Sequence, residues 1–201
     1  MINIGLDLDN TIIDYSYSFY KVALEKKLIP ISFSKDKKII KDFFHQNDKF
    51  DLFTELQGEI YGKYIMKAKI YAGFQNFVNA LSQKIANIYI ISHKTQYPII
   101  GDRVNLHDCA INFLKKRNII DNRVIKQKDI FFEPTVEKKI KRIDMLKLDF
   151  FVDDLPQILL HKNFPSFTKT ILIDYTNSNK NFNGIRVNSW EKVFKKICDC
   201  S

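Results

Sequence analysis

Two carboxylates, Asp7 and Asp9, lie two positions apart at the end of the apolar stretch that opens the chain, residues 2–8. Side chains two residues apart on a strand point to the same side, so if Leu8 faces the core, both acids face the opening beyond the strand. Ligands bind in that crevice in open α/β sheets. Because two ionised carboxylates so close repel each other, we expect a divalent cation, a shared proton or both to compensate.

A simpler interpretation of the same stretch is a turn, in which Asp9, Asn10 and Thr11 end the strand and cap a helix. A short pattern of this kind also arises by chance. The acidic pair therefore gains weight only if other chemistry-bearing residues are predicted at the same edge of the sheet.

Two further apolar runs end in such residues. Residues 87–91 are followed by Ser92, whose hydroxyl at a strand tip can hold a phosphate oxygen. Residues 150–152 are followed by Asp153 and Asp154, the second acidic strand end of the chain. The carboxyl ends of neighbouring parallel strands meet at one edge, so these side chains are expected to converge.

A lysine is predicted to join them from a helix that Thr135 caps. Lys138 and Lys139 both follow, and only one of them can face the crevice. We prefer Lys139, because the apolar face of the helix begins at Ile140, directly after it.

The elements that must position these residues are short apolar runs separated by stretches of helical periodicity. Runs that are apolar throughout are typical of strands covered on both faces, as in a parallel sheet. Their alternation with helices predicts an α/β fold, a Rossmann-like doubly wound parallel sheet. The predicted strands are residues 2–8, 88–91, 130–132, 150–152 and 170–173, and the predicted helices are residues 74–84, 106–117, 136–146 and 190–197.

Residues 15–70 interrupt this rhythm, because they contain helical periodicity and no convincing strand. We interpret them as a small helical insertion, with residues 1–14 and 71–201 forming the core domain. Two glycines, Gly58 and Gly62, flank Glu59 in this segment and suggest a tight turn that enters the site. Glu59 is then a candidate specificity residue that accepts an ammonium or hydroxyl groups from a substrate.

In order along the chain, these motifs resemble those of the haloacid dehalogenase (HAD) superfamily. Asp7-Leu8-Asp9-Asn10-Thr11 is similar to its DxDxT motif, Ser92 to its strand-end Ser/Thr, Lys139 to its lysine, and Asp153-Asp154 to its terminal acidic pair. The stretches ISHKT, FFEPTVEKKIKRI and FFVDDLPQIL further resemble a branch of small HAD-like hydrolases. The resemblance implies a HAD-like core, with the insertion as a cap over the site.

The resemblance also implies roles for the acids. Asp7 would attack phosphorus and form an aspartyl-phosphate, and Asp9 would protonate the leaving group and then activate water. Mg²⁺ would be held by Asp7, Asp153 and the backbone carbonyl of Asp9. Asp154 would contact the metal only through water, or would organise the loop.

The remaining motif residues are implied to bind and orient the phosphoryl group. Ser92 and Lys139 would bind its oxygens, and Asn10 and Thr11 would form the loop that orients it. His93 and Lys94 are close enough along the chain to reach a substrate, although surface positions at a helix start are the commoner outcome.

Asp9 is the acid at the third position of the first motif. Within the superfamily that the chain resembles, dehalogenases and ion pumps typically lack an acid there, so the resemblance implies a phosphatase or phosphomutase. A cap of this size suits a small metabolite phosphate, such as a sugar, polyol or amino-alcohol phosphate. Acids lining the cap would indicate an amine-bearing substrate, whereas lysines would indicate a second anionic group.

Composition narrows the alternatives. The net charge of +9 motivates a second hypothesis, a terminal phosphatase of nucleic acids or nucleotides, but the lysines are scattered and form no basic stripe, so a nucleic-acid partner is not favoured. A third is a non-catalytic regulator with this fold, against which the retained acids argue. No apolar run is long enough to span a bilayer, and three cysteines without a metal-binding pattern fit a reducing, cytoplasmic setting.

Overall fold

A computed structural model describes residues 2–82, 86–120 and 124–199. Its centre is a sheet of six parallel strands in the order β5-β4-β1-β6-β7-β8, and two further strands form a separate antiparallel pair, β2-β3. The strands are β1 (Ile2–Leu6), β2 (Ile13–Asp14), β3 (Lys69–Ile70), β4 (Ala86–His93), β5 (Ile130–Glu133), β6 (Phe150–Asp153), β7 (Lys169–Ile173) and β8 (Ile185–Val187).

Helices connect these strands and cover the sheet. They are α1 (Ser16–Glu25), α2 (Lys37–Gln46), α3 (Phe50–Tyr61), α4 (Phe74–Ser82), α5 (Leu106–Lys116), α6 (Val136–Met145), α7 (Pro156–Leu159) and α8 (Trp190–Asp199), with 3₁₀ turns at Ile65–Lys67 and Gln127–Asp129. No helix in the described ranges is long and apolar enough to cross a membrane.

The strands are buried on both faces, as their uniformly apolar sequences predict. In β6, Phe150 and Val152 join one hydrophobic cluster with residues of α4, α5 and α8, while Phe151 joins a second cluster with residues of α6 and α7. Helices therefore cover both faces, which confirms the Rossmann-like doubly wound α/β fold.

Strand β1 lies at the point where the strand order changes direction. The chain moves from β1 outward to β4 and β5 on one side, and to β6, β7 and β8 on the other. Leu6 pairs in register with Ile90 of β4 and with Val152 of β6. The crevice beyond the carboxyl end of β1 is thus the topological switch point, where open α/β sheets bind ligands.

Helices α1, α2 and α3 fill the segment between β2 and β3, and they pack on one another through aromatic side chains. The ring centroids of Phe19 and Phe53 are 5.5 Å apart, and those of Phe44 and Phe53 are 6.0 Å apart. These buried residues belong to the same cluster as the nearby face of the sheet. That residues 15–70 form a cap over the site stays a prediction.

Two local expectations were wrong, and strand β8 was not predicted. Residues 15–70 do contain a strand, because Ile70 of β3 pairs with Ile13 of β2 and joins the two ends of the segment. Gly58 lies inside α3 rather than in a tight turn. Strand β8 is three residues long and includes Arg186, so its sequence gives no apolar run to recognise. Lys84, the predicted end of α4, lies outside the described residues.

Candidate active site

The site begins at the carboxyl edge of β1, β4 and β6, where sheet pairing sets the positions of the side chains. Asp7 follows β1 directly, and its amide donates a hydrogen bond to the carbonyl of Val152 at 2.9 Å. Asp153 ends β6, and Ser92 lies one residue before the end of β4. All three side chains are buried, so residues far apart in sequence meet in a site with little solvent.

Lys139 binds two of these acids at once. Its Nζ lies 2.5 Å from Oδ1 of Asp7 and 2.7 Å from Oδ2 of Asp153. Lys139 is buried whereas Lys138 is exposed, so Lys139 is the lysine that faces the crevice. Burial alone would lower the pKa of Lys139, but the carboxylates of Asp153 and Asp7 outweigh it and raise that pKa.

Thr135 sets the orientation of Lys139. Its hydroxyl accepts a hydrogen bond from the amide of Lys138 at 3.2 Å and begins α6 at the predicted position. Ile140 and Ile143 then pack under the sheet with the second hydrophobic cluster. The buried face of this helix fixes the turn from which Lys139 reaches the acids.

Three carboxylates are grouped closely enough to hold one metal ion. Asp7, Asp153 and Asp154 each offer an oxygen, and the three oxygens lie within 4.8 Å of one another. Burial, together with the neighbouring acids, raises the pKa of Asp7 to about 7, and the same causes raise the pKa of Asp154. One lysine does not balance three acids, so this donor set fits a hard divalent cation such as Mg²⁺.

The carboxylate of Asp9 lies outside that group of three and is held separately. Its Oδ1 accepts a hydrogen bond from the hydroxyl of Tyr15 at 2.8 Å, and its Oδ2 lies 2.7 Å from Nζ of Lys94. Tyr15 and Lys94 are buried, whereas Asp9 keeps 13% of its side-chain surface exposed. Asp9 is therefore fixed in orientation while one part of it faces open space.

The loop after Asp9 turns sharply. Asn10 has a φ of 62°, in the left-handed region that asparagine tolerates better than most residues. The hydroxyl of Thr11 donates to Oδ1 of Asp154 at 3.2 Å, and the hydroxyl of Tyr175 donates to the carbonyl of Thr11 at 2.8 Å. Thr11 thus connects the first acidic loop to the second, as a loop-organising residue would.

Ser92, His93 and Lys94 follow one another but face different surroundings. Ser92 is buried beside β1, while His93 is exposed and its Nε2 lies 3.2 Å from the carbonyl of Pro134. Lys94 turns inward to Asp9, and Nε2 of His107 lies 2.9 Å from the Lys94 carbonyl. Of the two candidates after Ser92, the structure brings Lys94 into the acidic site and leaves His93 at its rim.

Glu59 is already bonded within the protein. Lys26 and Lys63 each lie 2.7 Å from one of its carboxylate oxygens, and only 9% of its side-chain surface is exposed. Burial opposes ionisation, but these two lysines lower the pKa of Glu59 below its ordinary value. The turn predicted around Gly58 is absent, because Phe50–Tyr61 is helical. The role of Glu59 as a specificity residue stays a prediction.

Sequence patterns did not identify Lys37, which reaches the site from the first turn of α2. Its Nζ donates to Oδ1 of Asn10 at 3.1 Å and to the hydroxyl of Tyr61 at 3.0 Å. Burial lowers the pKa of Lys37 to about 8, although the acids Asp154 and Asp9 oppose this effect. Tyr15, Tyr61 and Lys37 all come from the helical segment, and no motif in that segment distinguishes them from packing or surface residues.

Two cavities open beside these residues. The first, of about 370 Å³, is lined by Asn10 and Asp154 together with Lys37, Lys38 and Lys41. The second, of about 270 Å³, is lined by Asp9 and Lys94 together with Thr54, Gln57 and Thr95. Each has room for a small organic group next to one of the acidic loops.

No protein-family model and no curated protein sequence matches the chain. Solved structures do match it over nearly its whole length.

A predicted phosphatase from Clostridium acetobutylicum has a TM-score of 0.64 at 15% identity, covering 98% of each chain. A HAD family hydrolase from Deinococcus radiodurans, solved with bound phosphate and sodium, has a TM-score of 0.62 at 9% identity, covering 98% of this chain and 95% of its own. A HAD-superfamily hydrolase from Ehrlichia chaffeensis has a TM-score of 0.55 at 12% identity, covering 98% and 96%. The chain therefore has the fold of the HAD-superfamily hydrolases.

Proposed function

We propose that this protein is a HAD-type phosphatase, a Mg²⁺-dependent phosphomonoesterase that acts on a small phosphorylated metabolite through an aspartyl-phosphate on Asp7. The observation that carries the proposal is the convergence of Asp7, Lys139, Asp153 and Asp154 at the switch point of the sheet. A protein with a purely structural role has little reason to bring three acids together, two of them buried and paired with one lysine, because each unbalanced charge disfavours folding.

Asp7, Asp153 and Asp154 are the side chains that would hold Mg²⁺, and the backbone carbonyl of Asp9 is a further ligand by resemblance to the family. When bound, the ion would neutralise the acids and polarise the phosphoryl group. The close grouping of three oxygens supports this assignment, since Mg²⁺ prefers oxygen ligands.

The residues of the chain divide the reaction into two displacements. A carboxylate oxygen of Asp7 forms a bond to phosphorus while the bond from phosphorus to the leaving oxygen breaks, and Asp9 gives its proton to that oxygen. A water molecule then attacks the aspartyl-phosphate and gives its proton to Asp9. Phosphate is released, and Asp7 and Asp9 return to their starting states.

Hydrogen-bond donors support the same chemistry at the phosphoryl oxygens. Lys139 and Ser92 are both buried, Lys139 against Asp7 and Asp153 and Ser92 near the end of β4, and they would bind the equatorial oxygens. Asn10 and Thr11 follow Asp9, and their bonds to Lys37 and Asp154 would hold this loop in place. The fold is shared with a predicted phosphatase and with a hydrolase that holds phosphate, which supports the reaction class and leaves the substrate to experiment.

The test is phosphate release from a panel of metabolite phosphates and a 5′-phosphorylated oligonucleotide, in the presence of Mg²⁺. We expect hydrolysis of small phosphomonoesters, loss of activity with a chelator, and at least about a 10³-fold lower kcat for Asp7→Asn. Asp51→Asn is the matched control, because Asp51 is exposed in the first turn of α3.

Equal activity of the Asp7→Asn protein would reject the proposed nucleophile. Preference for the oligonucleotide would favour the nucleic-acid alternative, and inactivity on the whole panel would favour a non-catalytic role.

A further inference from the structure

We propose that the substrate of this site carries a second anionic group, a carboxylate or a second phosphate, which binds to the lysines at the start of α2. This inference depends on the proposed function, and it specifies the substrate class. It is carried by the 370 Å³ cavity beside Asp154, whose wall includes Lys37, Lys38 and Lys41.

The acids in the wall of this cavity are already engaged. Asp36 caps α2, accepting hydrogen bonds from the amides of Lys38 at 2.6 Å and Ile39 at 3.2 Å. Asp174 pairs with Arg186 at 3.0 Å. Asp154 belongs to the group of three that would hold the metal. Of these acids, Asp154 is the one whose charge acts most on Lys37, and a bound metal ion would compete for it.

The lysines, in contrast, form no ion pair with a carboxylate in the part of the chain that the structure describes. Among residues 2–82, 86–120 and 124–199, no Asp or Glu oxygen forms an ion pair within 4.0 Å of the Nζ of Lys37, Lys38 or Lys41. Lys37 instead donates to two neutral oxygens, those of Asn10 and Tyr61. Lys37 is partly buried, whereas Lys38 and Lys41 are exposed. An anion in the cavity would supply the directly paired charge that these three lysines lack.

The position of the cavity fixes how the substrate would lie. Asn10 follows Asp9 directly, and Asp154 lines the cavity while also belonging to the metal-binding group. A molecule with its phosphoryl group at Asp7 would therefore meet this cavity on the side of Asp154. Thr176, Ser178 and Asn179 add neutral hydrogen-bonding groups to the wall, which suit hydroxyl groups on the connecting carbons.

The second cavity does not offer the same charge. Its lysine, Lys94, is already paired with Asp9 at 2.7 Å, and Thr54, Gln57 and Thr95 are neutral. A cationic group in the first cavity would be repelled by three lysines. Phosphates of acids, or bisphosphates, are thus favoured over amino-alcohol phosphates.

The test uses phosphonates, which are not hydrolysed, so it measures binding without turnover. In 3-phosphonopropionate a carboxylate replaces the terminal methyl group of propylphosphonate, and 1,2-ethylenediphosphonate carries a second phosphonate instead. With Mg²⁺ present, we expect calorimetry to give at least about tenfold tighter binding of one of the two probes with a second anionic group than of propylphosphonate. The tighter of the two indicates whether the second group is a carboxylate or a phosphate.

The lysine variants assign the effect to this cavity. We compare the affinity of the preferred probe, which has a second anionic group, with that of propylphosphonate. In Lys37→Gln and in Lys41→Gln, we expect this affinity ratio to fall several-fold toward one. Lys116→Gln is the control, because Lys116 is an exposed lysine of α5 that does not line the cavity. Lys41 is also exposed, so Lys41→Gln decides the question even if Lys37→Gln fails to fold.

The possible results separate the anionic subsite from the phosphatase activity. Equal affinity for all three probes in the wild type, or an unchanged ratio in the lysine variants, would overturn the anionic subsite. Hydrolysis of p-nitrophenyl phosphate without any such preference would overturn the subsite and leave the phosphatase intact. A clear preference in a protein that hydrolyses no phosphate ester would support the subsite and contradict the enzymatic proposal, and failure of every probe to bind would contradict both.

Discussion

Lys94 holds Asp9 from the side opposite Tyr15. Nζ of Lys94 lies 2.7 Å from Oδ2 of Asp9, while the Tyr15 hydroxyl donates to Oδ1 at 2.8 Å. The ring of Tyr61 lies against the same ammonium, with 4.4 Å from Nζ to the ring centroid. The acid proposed to move protons is therefore oriented by Lys94, from the ISHKT stretch, and by Tyr15, which no recognised motif includes.

Removing either contact should slow the reaction without abolishing it. For Lys94→Met we expect kcat to fall about 10²-fold, because Asp9 loses its charged partner, and for Tyr15→Phe about tenfold. Steady-state kinetics on the best substrate of the panel would measure both. Tyr17→Phe is the control, since Tyr17 is 44% exposed in the first turn of α1, the helix that Tyr15 precedes. Wild-type kcat in both site variants would show that Asp9 needs no such support.

Metal binding should distinguish Asp9 from the three acids that would hold the ion. We expect saturating Mg²⁺ to raise the free energy of unfolding of the wild type by about 2–3 kcal/mol at a hundredfold excess over its Kd. Asp153→Asn should lose most of this gain, because Asp153 belongs to the group of three acids. Asp9→Asn should keep it, since the Asp9 carboxylate lies outside that group. Chemical denaturation with Mg²⁺ or a chelator measures the difference, and equal gains in Asp153→Asn and the wild type would contradict the assignment.

The sequence was most informative where local chemistry and chain order coincide. The apolar strands predicted the doubly wound sheet, and strand ends carry the acids to one edge, as expected for Asp7 and Asp153. The capped helix with its apolar face correctly indicated that Lys139, and not Lys138, faces inward. These predictions need only the periodicity of single elements and the rule that parallel strands share a carboxyl edge.

Lys37 and Tyr15 could not be predicted in the same way. Their positions depend on how α1 and α2 pack over the sheet, and that packing is set by contacts such as Phe19 with Phe53, far apart along the chain. The turn predicted around Gly58 shows the opposite failure. Two glycines suggested a turn, yet Gly58 lies inside α3. Glycine is needed there because a Cβ would meet Pro98 at 2.7 Å.

The close approach of α3 to Pro98 gives a prediction with a diagnostic sign. Alanine for glycine inside a helix ordinarily stabilises a protein by about 0.5–1 kcal/mol. At Gly58 we expect the reverse, a loss of about 1–3 kcal/mol, because the added methyl group would also come within 3.2 Å of the Ile100 carbonyl. Urea denaturation of Gly58→Ala measures this, and a stabilised variant would mean that the helix does not pack so closely.

Asp174 makes stability depend on pH. Burial alone would raise its pKa, but amides of Asn179 and Ser178 and the guanidinium of Arg186 lower the pKa below its ordinary 3.8. The folded state thus favours the ionised form, so this contribution is present above about pH 3.8 and is lost as the pH falls through the lower folded value.

Asp174→Asn should accordingly cost about 1–3 kcal/mol near neutral pH, and the difference from the wild type should shrink in acid. Unfolding measured across the acid range, with Asp51→Asn as the exposed control, checks both the size and the direction. A difference that grows toward low pH would mean that ionised Asp174 does not stabilise the folded state.

The central claim is that Asp7 becomes phosphorylated, and Asp9→Asn offers the most direct test. With p-nitrophenyl phosphate, whose leaving group needs little help from an acid, this variant should form the phosphoenzyme and hydrolyse it slowly. We predict a burst of nitrophenolate close to one equivalent of enzyme, and mass spectrometry of the acid-quenched protein should place one phosphoryl group on Asp7. A burst that persists in the double variant Asp7→Asn/Asp9→Asn, or a phosphoryl group on another residue, would contradict the mechanism.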